Sequence, residues 1–276
     1  MRFSPYTFLA AICFLPVFCI SANAAEVRNP ESDRACSANH FHDDGLVGYA
    51  ESRDQRVASS STNHIDPGMN GSIRVHGWSQ ADVLVRACVY AAAANDSAAR
   101  ALASQIAIVQ GPGEIKPRGP ELSDRRHWSV SYEVWAPASS NLKLDAFNGS
   151  IAVQGITGSV GFHTQNGSVR LDQVAGEVKG ETTNGSLSID VSGNGHDIRA
   201  STTNGSIHLS LPENYSAKVE ASTVNGRVRC DFAAAGTSAG TNDAGGKTTS
   251  LVLGAGGPVV EARTVNGSIH IGRRTS

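Results

Sequence analysis

The chain has 276 residues, of which 40% are hydrophobic and 17% charged, with a formal net charge of −2. That length suits one or two domains, and the near-neutral balance excludes the broad electrostatic footprint of a nucleic-acid binder or a protein drawn to anionic lipid. The 29 glycines beside 3 tryptophans and 2 methionines imply many tight turns around a thin core.

Residues 1–24 read as a leader. Arg2 is followed by an apolar run from Phe8 to Ile20, and Ala22-Asn23-Ala24 gives a small-x-small cleavage pattern with Ala25 as the new N-terminus. The run is too short for a membrane span. Ile12 and Phe18 precede Cys13 and Cys19 where a lipid-attachment signal wants a small residue. No later segment is apolar enough to span a bilayer, so the mature chain is expected to be soluble and periplasmic, secreted or at the cell surface. Cys36, Cys88 and Cys230 survive cleavage. Cys230 falls on a core position of the repeat described below, so Cys36–Cys88 is the expected bridge, against three unpaired thiols.

Residues 25–56 show little pattern and are expected to be poorly structured. They hold the densest group of possible metal ligands, His40-Phe41-His42-Asp43-Asp44. Histidines two apart share one strand face and would suit zinc. A polar loop is the simpler reading, nothing requires His64 or Asp66 to join, and no metal or cofactor is expected. Residues 57–140 read as a β-rich region with one short helix. Val57 to Asn63 suggests strand edge and loop. Asn70-Gly71 opens a strand carrying Ile73 and Val75, and Asp82 to Tyr90 reads as a strand. Asp96 to Ala103 is Ala-rich behind the N-cap candidate Asn95. Strands are expected at Ile106 to Gln110 and Trp128 to Trp135, with Pro112, Pro117 and Pro120 marking a loop between them. Arg125-Arg126-His127 beside Trp128 is a basic cluster able to hold an acidic sugar or phosphate, though a solvated loop is the simpler reading.

From residue 141 to 276 the chain repeats. Asn148-Gly149, Asn166-Gly167, Asn184-Gly185, Asn204-Gly205, Asn225-Gly226 and Asn266-Gly267 are spaced by 18, 18, 20, 21 and 41 residues. Ser follows the glycine everywhere except at Arg227. Apolar residues or Thr stand six, four and two residues before each Asn, as in Val160, Phe162 and Thr164. They return three and five residues after it, as in Val169 and Leu171. This is period-two alternation on both sides of a fixed turn. Asn tolerates and Gly favours left-handed backbone, so the local reading is a two-residue hairpin. Yet a two-strand unit cannot bury its apolar face alone, whereas identical units stacked in register can. The expected fold is therefore an all-β stack of two-strand rungs, a β-solenoid, against an antiparallel meander closed into a sandwich or barrel. Residues 233–250 read as a flexible excursion. Several repeats also spell glycosylation sequons, which turn chemistry explains better.

The segment Asn70 to Trp78, the β-α-β stretch after it, Pro137 to Ile151 and the serial Thr-x-Asn-Gly-Ser units together resemble the bacterial putative-adhesin family of uncharacterised β-strand-repeat proteins, over roughly residues 57–275. The resemblance implies an exported, solenoid-like envelope or surface protein and supplies no catalytic residues.

In a solenoid the outward column four residues after each Asn would read Ala152, Arg170, Ser188, His208, Arg229 and His270. Stacked about 4.8 Å apart, Arg170, His208, Arg229 and His270 would form a mildly basic stripe suited to an anionic glycan, or an ordinary solvated face. Outward acids such as Asp145, Glu181, Glu220 and Glu261 come one per rung, mixed with Lys143, Lys179 and Arg199, so no carboxylate pair repeats as acid–base catalysis would need. The expected function is a non-catalytic, adhesin-like binding or scaffold module. The alternatives are an envelope-stress accessory protein that binds another envelope protein, and a polysaccharide-active β-helix enzyme. Arg273-Arg274 is expected to discourage end-to-end stacking.

Overall fold

The computed structural model describes Cys36 and residues 45–111, 113–121, 125–232, 238–241 and 247–274. The expected leader and the His40–Asp44 cluster lie outside them. The N-terminal elements are β1 (Val47–Ala58), β2 (Thr62–Ile65), β3 (Ile73–Trp78), β4 (Asp82–Ala93), α1 (Asp96–Ser104), β5 (Ala107–Gly111), β6 (Glu114–Arg118) and β7 (His127–Pro137). The repeats supply β8 (Asn141–Asn148), β9 (Ile151–Gln154), β10 (Val160–Asn166), β11 (Val169–Val174), β12 (Val178–Asn184) and β13 (Leu187–Val191). They continue as β14 (Ile198–Asn204), β15 (Ile207–Leu211), β16 (Ala217–Asn225) and β17 (Val228–Cys230). The chain ends with β18 (Ser238–Thr241), β19 (Lys247–Leu253), β20 (Val259–Asn266) and β21 (Ile269–Arg273).

In each repeat the strand before the Asn-Gly lies in one sheet and the strand after it in the other. The sheets run β1-β4-β7-β3-β9-β11-β13-β15-β21-β17 and β18-β19-β16-β20-β14-β12-β10-β8-β2-β6-β5. They are called here the post-turn and pre-turn sheets. Like strands of successive rungs pair in parallel and in register. Val160 lies beside Leu142 and Val178, and Asn166 beside Asn148 and Asn184. A hairpin would instead pair the two strands flanking each turn with one another. The repeats therefore form a β-solenoid. Its interior is one slender apolar column, with Leu171, Leu187, Ile207 and Ile269 from one side and Leu144, Val178, Ile198 and Val260 from the other all buried. The hydrophobic effect thus acts on the stack and not on any single rung.

Two polar ladders hold the corner. The Asn184 amide donates to Asn166 Oδ1 at 2.8 Å and accepts from Asn204 at 2.8 Å, in a run that begins at Asn70. Behind it the Thr182, Thr202 and Thr264 hydroxyls, all buried, donate to the turn-glycine carbonyls of the neighbouring rungs at 2.9–3.0 Å. A buried hydroxyl without such a partner would cost stability.

The role of the turn glycine differs from the sequence expectation. Among described non-glycine residues only Gln173, at a bulge in β11, has positive φ, so no turn asparagine is left-handed. A Cβ on Gly149, Gly167, Gly185 or Gly205 would instead collide with the carbonyl oxygen of the glycine one rung away. Close backbone approach, not turn handedness, demands glycine here.

Several boundaries also move. Residues 47–56 form most of β1, which pairs along its whole length with β4. The solenoid begins before residue 141, because β2, Asn70 and β3 already make a rung, with β3 beside β9 and β2 beside β8. Residues 79–140 are an insertion after it. β4 and β7 extend the post-turn sheet, and β5 and β6 extend the pre-turn sheet. Pro117 sits inside β6, beyond the two residues that pair with β2, so its missing N–H leaves no gap in that ladder. Helix α1 matches expectation, with Asn95 Oδ1 accepting from Ala98 N at 2.8 Å.

Rung order departs from chain order. β20 lies between β14 and β16, and β21 between β15 and β17, so the Asn266 rung is inserted between the Asn204 and Asn225 rungs. Part of the expected excursion, residues 247–250, belongs to β19, which pairs antiparallel with the outer edge of β16 and with β18. Arg273 and Arg274 do not block the stack's end. They reach Glu213 at 3.0 Å and Asp190 at 3.3 Å. The end strand of the post-turn sheet is β17, carrying Arg229 and preceded by Arg227. Val228 and Cys230 are only half-buried there because no rung covers them.

Candidate functional site

The expected stripe on the post-turn sheet exists as a column. Arg170 neighbours Ala152 and Ser188, Ser188 neighbours His208, and His270 neighbours both His208 and Arg229. It is not a free basic stripe. Two residues further along the strands runs a partly acidic column containing Asp172, Asp190 and Asp231. Arg170 Nε lies 2.7 Å from Asp172, Arg229 Nε 3.2 Å from Asp231, and His270 Nε2 2.7 Å from Asp231. The hydrogen bond from His270, with Arg229 beside it, holds the Asp231 carboxyl below its ordinary range, and Asp172 raises the Arg170 guanidinium. The His208 ring stands edge-on to His270 at 6.1 Å. The acidic column stands six residues after each Asn and was readable at the same spacing as the basic one.

The pre-turn sheet carries a different surface. Five residues before each Asn, its outer face reads Lys143, Gly161, Lys179, Arg199 and Glu261. Three residues before, it reads Asp145, His163, Glu181, Ser201 and Arg263. The parallel register of β8, β10, β12, β14 and β20 sets these side chains in two adjacent columns. They enclose a concavity of 440 Å³, within the size range of ligand sites.

Most charges lining it are matched. Lys143 Nζ is 3.3 Å from Asp145, which also bonds His64 Nε2 at 2.7 Å. His163 Nδ1 is 3.3 Å from Glu181, Arg199 Nη2 is 2.7 Å from Asp197, and Arg263 pairs with Glu261. Lys179 has no ion-pair partner among the described residues. Gly161 opens the floor. A Cβ there would meet only the Leu142 carbonyl oxygen at 3.5 Å and that of Lys179 at 3.9 Å, and the backbone is not left-handed. Unlike the turn glycines, Gly161 is required by nothing in the fold. A strand glycine in that position marks a place where something else can approach.

The remaining sequence candidates are spread apart. Arg125 and Arg126 are exposed at the start of β7, while Trp128 is turned inward, its Nε1 donating to the Pro120 carbonyl at 2.8 Å. His64 is engaged by Asp145, and Asp66 accepts from Gly68 N at 2.7 Å. Among the described residues no three His, Cys, Asp or Glu side chains are placed to hold a metal ion. Cys36 and Cys88 form a disulfide with Cα atoms 5.3 Å apart. Cys230 is free, its thiol pushed up by burial. No described helix is long and apolar enough to cross a membrane.

This arrangement can be set beside known proteins. The Toastrack DUF4097 profile matches residues 92–272, more than half of the chain, from the end of β4 through the insertion and every rung after Asn148. The chain belongs to the Toastrack DUF4097 family. Its membership agrees with the two long sheets of stacked rungs and with the family resemblance carried by the Thr-x-Asn-Gly-Ser units. Among solved structures, a putative cell adhesion protein of Clostridium sporogenes is similar at 11% identity and a TM-score of 0.42, with 82% of this chain and 100% of that one covered. A putative adhesin of Bacteroides fragilis aligns at 10% identity and a TM-score of 0.30, over 82% and 97% of the two chains. A putative lipid binding protein of Parabacteroides distasonis aligns at 10% and 0.32, also over 82% and 97%. At these TM-scores the likenesses carry no argument about what this Toastrack chain binds. No curated protein matches it.

Proposed function

We propose that the protein is an exported, non-catalytic binding module, adhesin-like in kind, that holds an extended glycan across the rungs of its pre-turn sheet. The observation that carries this reading is the concavity over five adjacent rungs, opened at Gly161 and lined by side chains of both charges together with small and apolar residues. Successive rungs lie about 4.8 Å apart. A sugar ring advances along an extended glycan by nearly that distance, so each ring would meet an equivalent set of side chains. A peptide strand advances about 3.3 Å per residue and would fall out of step. Affinity would then sum over rungs, as in any multivalent contact. The carboxylates lining the groove, Asp145, Glu181 and Glu261, are each engaged by a neighbouring side chain, Lys143, His163 and Arg263, an arrangement suited to rigidity more than to proton transfer.

The accessory-protein alternative would use strand addition at an open edge. Of the two end strands of the post-turn sheet, β17 offers only three residues with arginine beside and within it, a blunted edge, whereas β1 offers twelve, so strand addition would fall on β1. The test is binding of the purified mature chain to a panel of envelope and extracellular glycans, with Gly161→Leu as the groove-filled variant. Binding that Gly161→Leu abolishes without lowering the melting temperature supports the reading. Binding that survives the substitution rejects the groove as the site.

A further inference from the structure

Building on the groove reading, we infer that its centre is a seat for a single anionic substituent — carboxylate, sulfate or phosphate — placed over Gly161 between Lys143 and Lys179. The column five residues before each Asn continues in register onto the N-terminal strands. In space it runs Glu114, His64, Lys143, Gly161, Lys179, Arg199, Glu261 and Glu220. Its middle is basic and both its ends are acidic. The adjacent column sets Asp145 and Glu181 nearby, but both are engaged, by Lys143 and His163, so a group bearing negative charge is favoured over Gly161, beside Lys179, which is unpaired among the described residues.

Three features converge there. Gly161 presents bare backbone where its neighbours present long side chains, so an anionic group can descend to the sheet surface. Lys143 and Lys179 stand one rung to either side, within reach of a common point above it. Lys179 is unengaged among the described residues, so it gains a partner without surrendering one. Lys143 keeps Asp145 at 3.3 Å, which limits it to a supporting share. Further along, Glu261 already holds Arg263, and Glu220 has no ion-pair partner among the described residues, so a second negative charge would find no free cation there. The ligand selected is thus a glycan with sparse acidic groups among neutral sugars, not a uniformly charged polymer. Partial burial against the sheet reduces the solvent screening that makes isolated surface pairs weak.

The experiment titrates the mature protein with oligosaccharides of equal length: one neutral, one with a single uronate, one with a single sulfate and one carrying uronate at every residue. Inorganic phosphate and sulfate serve as free-ion arms. The singly charged ligands should bind about tenfold tighter than the neutral one, an advantage that fades as salt is raised. Lys179→Gln should erase that advantage, so that neutral and singly charged ligands bind the variant alike, with the melting temperature unchanged. Lys218→Gln, an exposed lysine on β16 outside the groove, should leave it intact. A preference for carboxylate over sulfate, or the reverse, would identify the substituent, and competition by a free ion would show that the seat works without the sugar. If neutral and singly charged ligands bind alike, or if Lys179→Gln leaves the preference intact, the seat is wrong. When Gly161→Leu nevertheless abolishes neutral binding, the groove reading stands without it. Failure of every oligosaccharide to bind the wild-type chain overturns both.

Discussion

A glycine in this chain has two opposite meanings, separable only by what lies beside it. Gly185 meets the Gly167 carbonyl of the next rung, so any side chain must force the rungs apart. Gly185→Ala is expected to cost about 1–3 kcal/mol through overpacking. Gly161→Ala should be neutral or stabilise slightly, since alanine loses less backbone entropy than glycine on folding. Urea midpoints of the two variants check the contrast, and equal losses would show that the collision at the corner is relieved cheaply. Burial also separates residues that look alike in sequence. Thr182 is buried and donates to Gly167 O at 3.0 Å, while Thr183 next to it faces water. On the post-turn sheet, Glu133 is almost fully buried among Arg74, His76 and Arg86 at 3.3–3.9 Å, a network no motif announced. Its members stand on β3, β4 and β7, far apart in sequence and adjacent only through pairing.

Among the elements, the inserted Asn266 rung is tied to the Asn204 rung by a charged counterpart of the contact in which Asn141 Oδ1 accepts from Ser159 N at 2.9 Å. Asp197, just before β14, accepts from the first amide of β20, Val259 N, at 2.9 Å and from Arg199 at 2.7 Å. The Val259 hydrogen bond, with Arg199 adding, holds the Asp197 carboxyl below its ordinary range. A depressed folded-state value means that this contribution is complete above the unfolded carboxylate value. It disappears as pH falls through the folded one, below about pH 4. Asp231, which bonds His270 between β17 and β21, shifts the same way. The last rungs should therefore loosen first in acid. Hydrogen exchange at β20 amides should accelerate at low pH before exchange at β10 and β12 does. Asp197→Asn should reproduce the effect at neutral pH, and unchanged β20 protection in that variant would refute it. The same rung explains Arg227. At the Asn148, Asn184, Asn204 and Asn266 rungs the amide after the glycine donates to the Ser Oγ of its neighbour, and the series ends with Arg227 N to Ser268 Oγ at 3.3 Å. The Asn225 rung is last and serves no further amide, so it alone dispenses with the serine.

Taken as a whole, the molecule is one stack whose first rung is separated from its second by a long insertion, so early closure of that part has a high chain-entropy cost. The Cys36–Cys88 disulfide crosses a separation of 52 residues and ties the region before β1 to β4. In the chain-entropy account a loop of that length stabilises by about 4 kcal/mol. Reductant should lower the melting temperature of the wild-type chain but not that of a Cys36→Ser/Cys88→Ser double variant, whose midpoint should already match the reduced protein. A wild-type midpoint indifferent to reductant would place the bridge outside the folding unit.

The sequence alone determined the rung. Alternation around each Asn-Gly and the inward threonines were legible, because side-chain direction in a strand follows from a period of two and the chain repeats that period in phase, and the helix was legible from its Asn95 cap. Only the tertiary structure decided which rung lies on which. The Asn204, Asn225 and Asn266 units carry the same pairing signals, and nothing local to any of them encodes a neighbour 41 or 62 residues away. The charge of a face was decided at the same level. Arg170 belonged to an expected basic stripe until Asp172 was seen beside it, and the open surroundings of Gly161 exist only once the rungs are stacked. Partnership across strands is a property of register, and register is set by the stack.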